Sequence, residues 1–510
     1  MPSRIDPSVP AAGRPVSKAD LRRNFAAVRD EIGHLGWLRQ PFSGAVERTG
    51  EAKLGETLSA RDFGAIGDGQ ADDTAALQAA LDALKGKGGV LALAPGAVYR
   101  IAIGLQLEDA AGFRIEGRDA CLMMTAGAPV AADYWLLKLV RCRRFEIAGL
   151  RLDGNRRTRA IGPEPWANNL HLHDCSDFVL QSVLSSNAVV DGFILYHDRR
   201  DDPATFCRRG LMLGCRSVNA ARQGLTILNG HDIRVLGCDF TGSNGVPPEA
   251  GIDIESHVDS AAPSNARVLV QGCHFEGNRG GGIRLTAFGG AHGFSVVDCS
   301  FQSCGLYGVD IVAPDCIVRG CRFTDFGPEL EHGVVLVRTR EGGLPALVQG
   351  NSFDRIRTGD PNKAAIYVRP DASPGTLVAD NRLNAIDASG IIAAAPATVI
   401  RGNLIEGNRL DAIRIGRAGL VEGNRIARMR PGRPAILVHG GRTVVRANHL
   451  IDCDNGPDGT ILVLDDGTGD AHPPVLDGNF LTLTEGDGQS VPVRLRRAAI
   501  EAGTTAFGYG

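Results

Sequence analysis

Asp253, Glu255, Arg284 and Asp310 carry side chains suited to acid–base work, and they fall in a repeated strand-like segment. Each segment opens on a small residue and then alternates. The series runs Gly224-Leu-Thr-Ile-Leu, Gly251-Ile-Asp-Ile-Glu, Gly282-Ile-Arg-Leu-Thr, Gly308-Val-Asp-Ile-Val and Gly333-Val-Val-Leu-Val, and continues at Ala365, Ala412 and Ala435. Period-two alternation turns the second and fourth residues inward and the third and fifth outward. One outward column is then Thr226, Asp253, Arg284, Asp310, Val335 and Tyr367; the other is Leu228, Glu255, Thr286, Val312, Val337 and Arg369.

At a rise of about 3.3 Å per residue, Asp253 and Glu255 stand roughly 6.5–7 Å apart, and Asp310, two strands on, lies about 9.5 Å from Asp253. Carboxylates separated by about 6.5–9.5 Å suit inverting glycoside hydrolysis, which places a water between acid and base. Crowding of like charges raises one pKa and fits that group as the acid, while Arg284 holds the other ionised. An idle ion-pair ladder would use the same residues. Asp and Glu have low strand propensity, so their entry into a Val/Ile-rich strand favours the functional reading.

Flanking residues supply candidates for substrate binding. Arg222 and His231 bracket one segment, and His257 follows another. Asn169, His171 and His173 come from an earlier repeat, near Tyr196 and His197. Tyr196 or Tyr307 offers a ring on which a sugar can stack, and the charged stretch from Asp198 to Arg209 can wall a groove. Isolated His residues are more often structural, so none is assigned as a base, and no residue set is assigned to a metal.

A second repeat positions these strands. The motif is Gly237-Cys-Asp-Phe, Gly272-Cys-His-Phe, Asp298-Cys-Ser-Phe, Gly320-Cys-Arg-Phe and Gly350-Asn-Ser-Phe. It goes on as Asp380-Asn-Arg-Leu, Gly402-Asn-Leu-Ile, Gly423-Asn-Arg-Ile, Ala447-Asn-His-Leu and Gly478-Asn-Phe-Leu. A fixed minimum step with variable excess means one coil per repeat, with insertions confined to loops. Asn or Cys at the second place stacks on its neighbour in the next coil, and Asn there satisfies turn backbone groups. The Phe, Leu or Ile two places later fills the core. Most of the 12 cysteines are expected in this column as small buried thiols rather than disulfides.

Ahead of the repeats, residues 1–16 read as an extended arm. A helix is predicted from Ser17, capped by that Ser with Asp20 three residues on. Leu21, Phe25, Val28, Ile32 and Leu35 form a short heptad seam suited to self-association. Residues 1–41 are thus an arm and oligomerisation helix, and 42–60 a linker. Residues 61–104 form an entry module in which Asp72, Asp73 or Thr74 caps a helix with Leu77, Leu81 and Leu84 inward. The stretch from Gly88 to Ile101 reads as two strands around a Pro-Gly turn. Residues 105–480 are the repeats, and 481–510 a closing segment. The run Asp62-Phe-Gly-Ala-Ile-Gly-Asp-Gly and its helix resembles the entry module of the pectate-lyase-like superfamily. The preceding stretch from Gly44 to Gly69 is similar to the join between head-binding region and body in phage tailspikes. This resemblance implies an all-β right-handed parallel β-helix, a short capping helix, a homotrimer, and attachment through the N-terminus to a phage tail or other particle. The stretches from Arg222 to His231 and Pro248 to His257 resemble a pattern of phage and bacterial β-helix proteins, in which the acidic pair implies a carbohydrate site.

Composition narrows the partners. A net charge of -3 gives no electrostatic case for nucleic acid or membrane binding, and no apolar run approaches the roughly 20 residues that span a bilayer. The N-terminus lacks the apolar core of a signal peptide, so a virion or extracellular location is expected without one. Three functions follow from these features. The first is a tailspike-like depolymerase that hydrolyses a bacterial surface polysaccharide with Asp253, Glu255 and Asp310 as the acid–base set. The second is a polysaccharide lyase or uronate epimerase, with Arg284 as base and no cofactor unless the carboxylates hold Ca²⁺. The third is a glycan-binding or structural spike without catalysis.

Overall fold

The computed structural model describes residues 17–35, 37–128, 135–159, 167–197, 202–255, 265–285, 290–339, 343–416, 418–430, 432–453, 460–464, 474–482 and 493–496. Three parallel sheets of 16, 16 and 15 strands run along the chain, and each strand pairs with its counterpart one coil before and one coil after. The first begins at Thr57–Ser59, the second at Asp68–Asp72 and the third at Leu105–Glu108. This is a right-handed parallel β-helix, as the repeat predicts.

The turn motif shows why the coil closes. Its first residue sits in the left-handed region, with φ of 57° at Gly237, 63° at Gly272 and 67° at Gly320, where glycine carries no Cβ penalty. At the second place, Asn351, Asn381, Asn403, Asn424, Asn448 and Asn479 form a ladder. Each Asn Oδ1 accepts from the backbone N–H of the Asn below, at 2.9–3.1 Å for the pairs 381–403 and 448–479. Cys321 joins a cysteine column to this ladder, its N–H donating to Asn351 Oδ1 at 2.9 Å. At the fourth place, Phe240, Phe275, Phe301, Phe323 and Phe353 stack with centroids 5.5, 4.7, 4.8 and 4.8 Å apart.

All twelve cysteines are buried free thiols. Only Cys215, Cys238, Cys273, Cys299 and Cys321 occupy the turn column, fewer than the repeat suggests. Cys142, Cys175 and Cys207 make a separate column, the Cys175 N–H pointing at Cys207 Sγ at 3.4 Å. Burial pushes the Cys207 thiol up to about 12, which keeps it unreactive.

The helix Lys18–Leu35 starts where predicted, Ser17 Oγ accepting from the Asp20 N–H at 3.0 Å. Leu21 and Phe25 of its seam are exposed. The stretch 42–60 is more ordered than a linker. Glu47–Thr49 pairs antiparallel with Trp37–Arg39, a short helix covers Gly50–Leu54, and Thr57–Ser59 already belongs to the first sheet. The capping helix Thr74–Asp82 buries Leu77 and Leu81, with Leu84 just beyond its end. Asp73 precedes it, yet its carboxylate accepts from the Ile66 and Gly67 N–H groups, while Asp72 accepts from the Thr74 N–H. At the far end, Phe480–Thr482 and Val493–Arg496 extend the second and third sheets into the stretch expected to close the last coil.

Candidate functional site

The site lies on the outer face of the third sheet. Its strands are Leu170–His173, Phe193–Tyr196, Leu225–Leu228, Ala250–Glu255, Gly281–Leu285, Val309–Ile311 and Gly333–Val337. The ladder aligns Ile194, Thr226, Asp253, Arg284 and Asp310 in one row, so the four residues singled out by spacing do share a face.

Beyond Asp310 the predicted column slips by one. Asp310 is opposite Leu336, while Val335 pairs with Val309 and Val337 with Ile311, both turned inward. The run Val334-Val-Leu-Val is apolar at every place and holds no alternation from which to read its phase. Arg338, the residue after Val337, therefore enters the outer row instead.

Gln223 organises the carboxyls. It is fully buried, and its Nε2 donates to Asp253 Oδ2 at 2.8 Å and to Glu255 Oε1 at 3.0 Å. Those oxygens are no farther apart than the two bonds laid end to end, short of the roughly 6.5–9.5 Å that leaves room for an inverting water. The expected separation was that of backbone positions; the side chains lean together on a shared donor. Gln223 Oε1 accepts from Arg222 Nη1 at 3.2 Å, which settles the orientation of the amide. Arg222 also reaches Asp191 Oδ2 at 3.2 Å and Glu255 Oε1 at 2.5 Å. The Thr226 hydroxyl lies between Asp191 Oδ2, at 2.8 Å, and Gln223 Oε1.

Burial sets the protonation of this group. Asp253 is 3% exposed. Loss of hydration, then the nearby Glu255 charge, holds its carboxyl well above the usual range, against the pull of Arg284 and Arg222. Asp191 is 1% exposed, and burial pushes it up to about 6 despite Arg222. Asp310 takes a different place from the one expected. Arg338 grips both of its oxygens, Nε to Oδ1 at 2.7 Å and Nη2 to Oδ2. Arg284 Nε approaches Asp310 Oδ2 at 3.5 Å. A buried carboxylate held in a fork cannot take a proton from substrate without breaking that pair.

The flanking residues divide. Tyr196 sits among His171, His173 and His197, with ring centroids 5.5, 5.1 and 5.2 Å away. His197 stacks on Tyr196 and meets Phe206 edge-on at 5.5 Å, and Phe206 meets His231 at 5.3 Å. Tyr196, His197 and His231 thus belong to one aromatic cluster, its Tyr196 strand two coils before the strand of Asp253 and Glu255. Tyr307, in contrast, is 4% exposed. Its ring fills the space over Gly281, where a Cβ would stand 2.3 Å from Tyr307 Cε2, so it offers no open stacking face. His257 and Thr286 lie outside the described residues, as does 198–201 of the proposed groove wall.

Sequence reasoning missed Asp191 and Gln223, and it named Arg338 only as a downstream arginine, with Arg340 and Arg369, not as the partner of Asp310. Asp191 and Gln223 each precede the small residue that opens a strand, and the register superposes them. That column was open to inspection. The place of Arg338 in the outer row was hidden by the slip in phase. Among the described residues, no three His, Cys, Asp or Glu side chains come together as metal ligands. With Asp310 engaged by Arg338, the carboxylates do not form the oxygen cage of six to eight ligands that Ca²⁺ takes.

No family model matches the chain. Part of it is 33% identical over 122 residues to mannuronan C5-epimerase AlgE3 of Azotobacter vinelandii, a match covering 22% of this chain and 7% of the relative. With AlgE4 of the same organism the identity is 33% over 128 residues, covering 21% of each protein. The chain thus spans at most about a fifth of these relatives. Over its whole body it superposes on a mutant tailspike protein of E. coli bacteriophage HK620 solved with a pentasaccharide. The TM-score is 0.59 at 13% identity, covering 89% of this chain and 86% of that one. Another structure of the HK620 tailspike, also with pentasaccharide, gives 0.54 at 13% identity, covering 90% and 84%. The chain is a right-handed parallel β-helix with the fold of the phage tailspikes.

Proposed function

We propose that the protein acts on a bacterial surface polysaccharide and hydrolyses its glycosidic bonds at the carboxyl cluster of the third sheet. The observation that carries this reading is the pairing of two unlike carboxyls on one donor: Asp253, buried and with its pKa raised by lost hydration, beside Glu255, which faces the Arg222 guanidinium. Asp253 is the general acid that protonates the leaving oxygen, and Glu255 is the carboxylate at the anomeric carbon. Their closeness on one donor is short of the separation that an inverting water needs, which favours direct attack by Glu255. Arg284, tied only loosely to Asp310, reaches for a substrate oxygen. Tyr196, half-buried over the aromatic cluster, binds sugar beside the reacting unit, while His171 and His197, buried beneath it, hold its ring. The tailspike fold, the exposed Leu21 and Phe25 on the N-terminal helix, and the tailspike-like join at 44–69 support a trimeric, particle-borne protein in a virion or outside the cell.

A second reading has its own support. The stretch shared with mannuronan C5-epimerases, and the presence of Arg222, Arg284 and Arg338 on one face, suit an acidic sugar whose C5 proton is removed.

The test is incubation with a panel of bacterial surface polysaccharides, following reducing ends, near-UV absorbance and sugar configuration by NMR, beside Asp253→Asn and Glu255→Gln. Reducing ends without absorbance, lowered at least about 100-fold in both variants, are expected. Absorbance at new chain ends would move the assignment to a lyase, and inversion without cleavage to an epimerase. Binding without turnover, alike in wild type and variants, would leave a recognition spike.

A further inference from the structure

Asp191 is a buried carboxyl to which the proposed reaction gives no part. Thr226 and Gln223, which join it to the carboxyl pair, are buried as well, so none of the three touches substrate. Two bridges leave Asp191. Thr226 Oγ stands 2.8 Å from Asp191 Oδ2 and also against Gln223 Oε1. Arg222 Nη1 stands 3.2 Å from Asp191 Oδ2 and 3.2 Å from Gln223 Oε1, while its Nη2 reaches Glu255. Both bridges end on the groups that hold Asp253 and Glu255 together.

Counting hydrogens shows what this network requires. The Gln223 amino group donates to Asp253 Oδ2 and Glu255 Oε1, which commits both of its hydrogens. Its oxygen faces Thr226, so the hydrogen between those two atoms must come from the Thr226 hydroxyl. A threonine hydroxyl has one hydrogen, and none remains for the Asp191 side. The gap closes when Asp191 carries a proton and donates it to Thr226 Oγ. Every link from Asp191 through Thr226 and Gln223 to the carboxyl pair is then donated in one direction. An ionised Asp191 draws the Thr226 hydrogen to itself, leaves Gln223 Oε1 against a bare oxygen, and competes with Glu255 for Arg222. The second Asp191 oxygen is buried without a partner, which also disfavours the charge. The charged side chains that act on Asp191 are Arg222 from the next coil and Glu255 from the one after. On the coil before, Asn168 Oδ1 accepts from the Asp191 N–H at 3.1 Å. The strand Leu170–His173 carries His171, which burial keeps neutral, and His173, which packs toward Tyr196. Lost hydration outweighs Arg222 and holds the Asp191 carboxyl at about 6.

We propose that Asp191 is a positioning residue for the Asp253–Glu255 pair: its proton keeps Thr226 turned to Gln223 and Arg222 on Glu255, and release of that proton to solvent withdraws both supports. The site is then set for work on the acid side of this transition and loosened on the alkaline side. That the pair is thereby regulated in catalysis rests on the proposed hydrolysis; the link between Asp191 and Gln223 does not.

The test needs no substrate. The Asp carboxyl carbons and Gln side-chain amides of the full chain, isotopically labelled, are followed by NMR from about pH 4 to about pH 8. The signals of Asp191 and Gln223 are identified by their absence from Asp191→Asn and Gln223→Asn, and thermal melts confirm that every variant folds. In wild type the Gln223 amide is expected to shift together with the Asp191 carboxyl, both with a midpoint near 6. Thr226→Ser keeps the hydroxyl and should keep this joint transition. In Thr226→Val, Asp191 still titrates but the Gln223 amide loses most of its response, and in Asp191→Asn the response is gone. An Asp191 that does not titrate in this range, a Gln223 amide that stays flat while Asp191 titrates, or an undiminished response in Thr226→Val or Asp191→Asn would each overturn the proposal. On any polysaccharide that the wild type cleaves, the rate should fall about 30-fold from about pH 5 to about pH 7.5, the change in the protonated fraction of a group with midpoint 6, and Asp191→Asn should lack that step. A rate step that persists in Asp191→Asn would also overturn it. Absence of cleavage with the joint transition intact would count against the proposed reaction alone.

Discussion

Asp191 offers a direct measure of how far burial governs the site. Its carboxyl is 1% exposed and is pushed from an ordinary 3.8 up to about 6, chiefly by lost hydration. Between those values the folded protein holds a proton that the unfolded chain has released. Stability must therefore fall as pH rises through this window, the reverse of the usual salt-bridged aspartate. A shift of about two units, at about 1.36 kcal/mol each, makes the ionised form cost about 3 kcal/mol above pH 6. Asp191→Asn removes the titration. It also alters the contacts with Arg222 and Thr226, but that change is a constant offset with respect to this proton. The informative quantity is how the difference between variant and wild type moves with pH. Urea unfolding from about pH 4 to about pH 7.5 should show the variant gaining about 2.5 kcal/mol on wild type, most of it by pH 6.5. A flat difference, or a variant that loses ground as pH rises, would refute the claim that Asp191 is buried against its own charge.

Two further perturbations probe the frame around the site. Arg338→Met strands the buried Asp310 carboxylate and should cost about 3–5 kcal/mol, much of it recovered by adding Asp310→Asn; equal stability of single and double variants in denaturant would contradict the fork. Asn403→Ala removes an acceptor for the Asn381 N–H and Nδ2 and a donor to the Val378 carbonyl. It should cost about 2–4 kcal/mol. Asn403→Cys, which copies the Cys238 acceptor of the lower coils, should cost less, and hydrogen exchange of the Asn381 amide separates the two.

How much of this was legible in advance follows from what each feature depends on. The turn motif needs a left-handed residue, a stacking residue and a core residue at fixed spacing, and each requirement is local. Gly237, Asn403 and Phe301 could therefore be assigned from their neighbours in sequence. The row Asp253, Arg284, Asp310 was equally readable, because alternation beside a small residue sets which way a side chain points. At Val334-Val-Leu-Val the alternation fails, and with it the placement of Arg338 beside Asp310.

By itself, then, the sequence determined the coil, its ladders and the face that carries the charges, since a solenoid repeats one local rule in register. Only the tertiary structure decided what those charges do. It brought Gln223 beneath Asp253 and Glu255, closed Arg338 on Asp310, and buried Tyr307 over Gly281. These are contacts between coils, made by side chains 26 to 32 residues apart. Side-chain torsions and burial choose among partners there, and no spacing along the chain records that choice.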